Sequence, residues 1–424
     1  MLPEERPLDE VWREHWARLL GQLLARFGRP DVVEDALADA FAEAAAQWPS
    51  TGVPTNPPGW VYSVAHRRVI DALRREGTAA AKAHLLADDD VPGPEGALTR
   101  SWGAEGTAGE PVDERIALLF MATHPALAPE VRPALALRFV LGVPTADIAR
   151  LFLVPRATMA ARLTRAKQRL TRSGIPFTIP DRDRWPERVD DVARAIYLAF
   201  TAGYAPAGGG QVVAVDRADD AVRLAELAAE LLPGQPVLEA LAALVRLQHA
   251  RRDARVDASG ALVRLADQDR TRWHQEDIRA GLRRLSALRP TTGLAEEYRL
   301  QALIAAFHDT AARANRTDWA AIARTYARLE HLTGSPIVRL NRAVAVGQVS
   351  GPMAGLALLR AAGDRLPGHH RVSLVRAELL RDGGELDQAR DAYEQALAQC
   401  PPGAERDHIA ARLAELDPGA SPAP

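Results

Sequence analysis

The chain has 424 residues, room for two to four domains at about 100–200 residues each. Its hydrophobic content of 47% and charged content of 25% are those of a water-soluble globular protein, and 5% aromatics is too few for an aromatic-rich carbohydrate-binding or membrane-interface surface. One cysteine, Cys400, excludes disulfide frameworks and cysteine-based zinc sites, and a net charge of −2 excludes a uniformly basic nucleic-acid binder. No apolar run reaches the roughly 20 residues of a membrane helix, and residues 1–10 are acidic and polar rather than signal-like. With a reduced thiol, this points to a cytoplasmic location.

Apolar residues recur at helical spacing through most of the chain, and no alternating strand pattern emerges, so an all-α fold is expected. Residues 8–76 read as three or four helices. Within residues 31–46, Asp35, Asp39 and Glu43 recur every fourth residue and form an acidic stripe. That spacing fits a solvated face and a docking surface equally. Residues 49–59 are too proline-rich for helix and read as a loop. The helix that follows, residues 60–75, has an apolar stripe of Val61, Val64, Ala65, Val69, Ala72 and Leu73. Ser63, His66, Arg67 and Arg74 fall away from that stripe. Residues 77–112 hold two basic and six acidic side chains among glycines and prolines, and read as a flexible acidic linker.

Residues 113–172 reverse the charge, with ten basic and four acidic side chains. From Arg150 to Arg172 there are seven basic residues and no acidic one, a pattern shared by phosphate-binding stripes and solvated helix faces. The layout is helix, break at Gly142, short helix from an expected N-cap at Thr145, turn at 153–155, and a helix over residues 156–170. This is helix-turn-helix order. The last helix pairs an apolar face of Met159, Leu163, Ala166 and Leu170 with a polar face of Arg156, Thr158, Arg162, Arg165 and Arg169. Early residues of such a helix reach base edges, and later arginines meet phosphate.

A proline-punctuated connector, residues 174–186, leads to a large helical region, residues 187–424. There Ala389, Tyr393, Ala396 and Pro401 repeat Gly355, Leu359, Ala362 and Pro367 at a distance of 34 residues, and Ala377 falls opposite Ala343. An isolated copy runs Ala221, Ala225, Ala228, Pro233. The period is that of tetratricopeptide (TPR) repeats, and an alanine-rich bundle that matches by chance is the competing account. Asp267, Asp269, Arg270 and Trp273 read either as a polar pocket or as a capped helix start above a buried tryptophan. His369 and His370 are adjacent and should diverge on a helix. Gly208–Gly209–Gly210 lacks the lysine of a P-loop, and no His-Glu-x-x-His motif occurs. No enzyme activity, cofactor or metal is therefore expected.

Taken in order, the acidic helix (34–41), the loop, residues 60–75 and the helix-turn-helix (137–170) resemble extracytoplasmic-function (ECF) sigma factors of bacterial RNA polymerase. The subgroup with a long TPR-like C-terminal extension is the most similar. The resemblance implies sigma region 2 over residues 1–76 and region 4 over 113–173, joined by the 77–112 linker. The connector 174–186 and a regulatory repeat domain, 187–424, follow. It implies that Asp35, Asp39 and Glu43 dock core RNA polymerase. It further implies that Asn56, Trp60, Ser63, His66, Arg67 and Arg74 contact the minus-ten promoter element. Arg156, Thr158, Arg162, Arg165, Lys167 and Arg169 would read the minus-thirty-five element, and Asp88–Asp90 would mimic nucleic-acid charge near the polymerase cleft. The subgroup's cysteines before His124 are replaced here by Ala122 and Thr123. The partners implied are core RNA polymerase, promoter DNA and a cytoplasmic protein or peptide bound by the repeats. A helix-turn-helix regulator with a TPR sensor is the alternative, and it has no need of the 60–75 helix or the acidic stripe.

Overall fold

The computed structural model describes residues 6–77, 114–152, 154–175, 177–203, 215–257, 261–363 and 366–416. They form eighteen α-helices, and the β structure among them is one isolated bridge between Val256 and Leu262. Apart from Gly77, the linker expected over 77–112, with its Asp88–Asp90 cluster, lies outside the described residues. The chain divides into two compact units, Met1–Ala199 and Phe200–Pro424.

In the first unit, helices α1 (Arg6–Phe27), α2 (Pro30–Thr51) and α3 (Pro57–Arg75) pack on one another. Apolar residues three and four apart supply the shared core. They are Trp16, Leu19, Leu20, Leu23 and Leu24 from α1, Val33, Leu37, Ala40, Phe41 and Ala44 from α2, and Val61, Ala65, Val69 and Leu73 from α3. Each large side chain so buried contributes about 1.5–3 kcal/mol. The expected loop over residues 49–59 shrinks to 52–56. Pro49 sits inside the end of α2, where the Ser50 and Thr51 hydroxyls donate to the Gln47 carbonyl. Pro57 opens α3, where its missing amide is not needed.

Four further helices follow: α4 (Glu114–Ala122), α5 (Arg132–Leu141), α6 (Thr145–Leu151) and α7 (Arg156–Arg172). The N-cap of α6 is Pro144 rather than Thr145, which is the first helical residue, and no side chain caps the helix. Gly142 ends α5 at φ +68°, in the left-handed region. A Cβ there would also lie 2.6 Å from Trp12 Nε1 and 2.7 Å from Trp16, so glycine is required twice over. The connector is packed rather than loose. Phe177 is buried, and Trp185 donates to the Pro180 carbonyl at 2.8 Å. At the start of α8 (Trp185–Gly203), Arg188 donates to the Phe120 carbonyl and Arg132 pairs with Asp191 at 2.7 Å. The division between the units falls inside α8.

The second unit is a run of helices: α9 (Val215–Leu231), α10 (Pro236–His249), α11 (Gln275–Ala287), α12 (Gly293–Asp309), α13 (Trp319–Thr333), α14 (Pro336–Ser350), α15 (Pro352–Gly363), α16 (His370–Asp382), α17 (Leu386–Gln399) and α18 (Ala404–Ala414). The 34-residue period is visible in the backbone. Helices α14 and α16 begin 34 residues apart, at Pro336 and His370, and so do α15 and α17, at Pro352 and Leu386. The small residues sit where the helices close on each other. Ala343, Ala377, Ala389 and Ala396 are fully buried. A Cβ on Gly355 would lie 2.7 Å from the Ala343 carbonyl oxygen. The isolated copy behaves alike, with Ala221, Ala225 and Ala228 fully buried on α9.

Two local expectations are decided here. Asp269 caps the 270–272 turn by accepting from the Thr271 amide, above a buried Trp273, so the capped-start reading holds over the polar pocket. His369 and His370 do not diverge. Their rings stack with centroids 5.1 Å apart, because His369 precedes α16 as its N-cap.

Candidate nucleic-acid interface

Helix α7 carries the strongest charge asymmetry of the first unit. Met159, Leu163, Ala166 and Leu170 are buried, while Arg156, Thr158, Arg162, Arg165 and Arg169 are exposed. The basic side therefore presents guanidinium groups along the helix, suited to phosphate and base edges. Across the turn, the Val154 amide donates to the Ala149 carbonyl at 3.0 Å, and Ile148 and Ala149 are buried, which sets α6 close against α7.

Lys167, expected among the DNA contacts, is not on that face. Its side chain is only 4% exposed, and its ammonium donates to Glu34 at 2.8 Å and Asp35 at 2.5 Å. Glu34 is equally buried and also accepts from Arg138 of α5. Arg138 lies over the Trp16 ring at 4.8 Å and donates to the Val143 carbonyl at 3.2 Å. Burial alone would raise the Glu34 pKa; the charges of Arg138 and Lys167 outweigh it and hold the carboxyl below its ordinary range. Burial likewise opposes the Lys167 charge, and Glu34 and Asp35 raise its pKa above the usual lysine value. One turn further along, the Thr171 hydroxyl donates to Asp31 at 2.8 Å.

The acidic stripe of α2 is thus internally partnered. Asp35 faces Lys167, whereas Asp39 and Glu43 face Arg68 of α3 at 3.5 and 2.7 Å. The periodicity located the stripe but missed Asp31, Glu34, Arg68 and Arg138. Glu34 breaks the four-residue spacing, and its partner Arg138 lies 104 residues away, so no local pattern reports it.

Around the start of α3, Asn56 is the N-cap, its side chain accepting from the Gly59 amide at 3.0 Å. Trp60 is half-buried, edge-on to Trp48 at 5.7 Å. The Ser63 hydroxyl donates to the Gly59 carbonyl, and Arg67 and Arg74 are exposed. His66 overturns its expected placement. It is 4% exposed, packed between Phe27 and Tyr62, and burial together with the Arg26 charge pushes its pKa down to about 4. Although the helical wheel put His66 off the apolar stripe, α1 packs on that side of α3 as well. Arg67 and Arg74 are exposed on α3, and His66, buried, does not join them.

A three-helix domain beside a helix-turn-helix whose second helix exposes arginines defines a DNA-binding protein of the transcription apparatus. Comparison with known families sharpens that class: residues 11–78 match sigma-70 region 2 and residues 117–170 match sigma-70, region 4. The chain belongs to the sigma-70 family and is a sigma factor, a protein of promoter recognition. Residues 188–289 match a family of unknown function, DUF6596. An uncharacterised protein of Rhizobium meliloti (strain 1021) is 40% identical over 400 residues, covering 94% of this chain and 93% of its own. The TPR domain of P58(IPK) aligns over 91% of this chain and 97% of its own, at 12% identity and a TM-score of 0.25. No described helix is long and apolar enough to cross a membrane.

Proposed function

We propose that the chain is an alternative sigma factor that binds core RNA polymerase, directs it to a promoter set of its own, and is controlled through the helical extension. The exposed arginine row of α7, Arg156, Arg162, Arg165 and Arg169, carries this reading. With Thr158 it is the surface that meets the minus-thirty-five element in the major groove. Lys167, on the buried side of α7, is not part of it. Asn56, Trp60, Ser63, Arg67 and Arg74 serve the minus-ten element. Asn56 acts by fixing the entry of α3, and His66 supports the helix from within. Asp35, Asp39 and Glu43 serve the polymerase. A helix-turn-helix regulator that leaves the resident sigma factor in place would not need a sigma-70 region 2, which this chain has.

The deciding experiment is reconstitution with core polymerase and mapping of the transcripts. The native chain should start transcription at a defined promoter set. The R162A/R165A pair should weaken promoter binding by the holoenzyme and reduce the slope of log affinity against log salt by about one per arginine. Core binding should persist. Transcription unchanged in the double variant would overturn the assignment of α7. For the extension, a chain ending near residue 180 should differ clearly from the full chain in transcription at equal abundance; equal output under all conditions would make the extension passive.

A further inference from the structure

A long connection in the extension folds back onto distant repeats. Helix α10 ends at His249 and α11 begins at Gln275. The described residues between them, 250–257 and 261–274, form two short 3₁₀ turns and one antiparallel bridge instead of a further α-helix. Connections longer than about 12–15 residues are uncommon in compact domains, where successive helices need about 2–8. The base of this one is firmly set. The His274 amide donates to the Ala250 carbonyl at 2.8 Å, and Arg252 meets Asp277 at 2.6 Å. Arg270 donates to the His308 and Ala311 carbonyls at the end of α12, both at 2.7 Å, and its guanidinium carbon lies 4.3 Å from the centre of the buried Trp273 ring.

The tip reaches further. Arg264 meets Glu378 of α16 at 3.6 Å, and the charges of Arg264 and Asp267 both act on His408 of α18. In a stacked helical array each pair touches its neighbours. A segment that leaves α10 and meets α16 and α18 passes over α13, α14 and α15, which a stack permits across the hollow of its curve. The register agrees, because α14, α16 and α18 begin 34 residues apart, at Pro336, His370 and Ala404. Glu378 and His408 therefore stand on one row of equivalent helices, and curved arrays bind their partners on the concave side.

The grip at the tip is light. Glu378 accepts from Tyr393 at 2.6 Å and from Arg412 at 3.1 Å, and pairs with Arg381 at 2.8 Å, so Arg264 is the most distant of these four partners. The Arg264 side chain is 36% exposed and also pairs with Asp267 at 2.6 Å. A pair so placed is weak and exchanges readily. Around it, Leu262, Val263 and Leu265 are partly buried.

We propose that the row of helices around Glu378 is a peptide-binding groove and that residues 261–268 of the chain itself are its resident occupant. The outside partner is an extended peptide segment that presents an arginine flanked by apolar residues, as Leu262-Val263-Arg264-Leu265 does. It takes Glu378 from Arg264 while Arg270 keeps the base of the connection in place. This rests on the reading that the extension controls the sigma factor, and it names what the extension binds.

The test uses the full chain. Spin labels at Ala266→Cys and Arg376→Cys, both exposed, in a Cys400→Ala background, report the distance from the tip to α16. The parent should give one short distance. R264E, which sets two carboxylates against each other, should raise the long-distance population about tenfold or more, and R264K should keep the short one. The binding probe is a labelled synthetic peptide of residues 261–272. Because the resident segment no longer competes, the peptide should bind the R264E chain at least about tenfold more tightly than the native chain. The same peptide carrying Arg264→Glu should bind neither. R264A, a milder change at the same exposed position, should give the same order of affinities and covers any misfolding of R264E. A short distance retained in both R264E and R264A would overturn the resident occupant. So would a peptide that binds native and variant chains equally, or none of them. If the variants open and take the peptide while transcription stays at the native level throughout, the control reading fails and the groove stands.

Discussion

Two interfaces in this molecule solve the problem of holding helices together in opposite ways. Region 2 meets region 4 through the buried Glu34–Arg138–Lys167 ion cluster and through Trp12 and Trp16, whose indoles stack on each other and donate to the Gly142 and Arg138 carbonyls. Helices α14 to α17 meet through small side chains, with Ala343, Ala377 and Ala389 fully buried and Gly355 against a carbonyl oxygen. Removing one partner of a buried ion pair is costly, yet replacing the whole pair by apolar groups is often neutral, so charge specifies an interface more than it stabilises it. Close packing of small residues stabilises by contact and has no second solvated state of similar energy. The first interface is specified by a buried ion cluster beside packed tryptophans; the second rests on close contact alone.

The largest effect should come from the second interface. Tyr393 is fully buried among Ala377, Ala389 and Ala396, and its hydroxyl donates to Glu378 at 2.6 Å. Tyr393→Ala should cost about 3–5 kcal/mol in denaturant unfolding of the extension. Because stacked helix pairs depend on their neighbours, the transition should remain cooperative and move to lower denaturant. A loss below about 1 kcal/mol would mean that this pair is not packed as a repeat. Gly355→Ala should cost less, about 1–3 kcal/mol, since its methyl group would lie 2.7 Å from the Ala343 carbonyl oxygen, a backbone atom that cannot swing aside, so α14 and α15 must part.

Acid should distinguish the two interfaces. The Glu34 carboxyl titrates below its ordinary value, so its contribution to the α2–α7 contact is complete above about pH 4.3 and lost as pH falls through the lowered value. Lys167, whose pKa is raised, contributes fully below about pH 10.4 and loses its contribution only above that. Asp35, bonded to the same ammonium, is shifted the other way by burial and offsets part of that slope, so the α2–α7 contact should be flat across neutral pH and weaken in acid by less than Glu34 alone implies. His66 complicates the readout. With a pKa near 4 against 6.5 unfolded, it favours the folded three-helix domain above pH 6.5 and surrenders about 2–3 kcal/mol as pH falls towards 4. His66→Leu should remove that slope and leave acid weakening of the α2–α7 contact visible by itself. Proton NMR of the parent should show the His66 ring still neutral at pH 5.5; a ring titrating near 6.5 would mean that it is solvated.

Legibility followed the range of the interactions. The helices, the exposed face of α7 and the 34-residue period were all readable, because each is set by spacing within a few turns. Lys167 and His66 were misplaced for one reason: a helical wheel describes one helix, and both residues are buried by a second one, Lys167 by α2 and His66 by α1. The α2–α7 contact joins residues 132 and more apart through Lys167 and Thr171, and such pairing leaves no periodic trace. Thr145 and Pro49 erred by local geometry, a cap one residue early and a proline tolerated in a last helical turn.

The smallest expected effect isolates binding from folding. Asp39 is 66% exposed and meets Arg68 only at 3.5 Å. Such a surface pair is worth little, because two solvated side chains must be ordered for a screened attraction. Asp39→Asn should therefore change unfolding stability by less than about 0.5 kcal/mol and leave the region 2–region 4 distance as it was. Unlike Glu34, it touches neither Arg138 nor Lys167. Any loss of core polymerase affinity in Asp39→Asn would then report a direct contact made by this carboxylate. Affinity unchanged in Asp39→Asn would return the outer part of the stripe, Asp39 and Glu43 with their partner Arg68, to a solvated structural face.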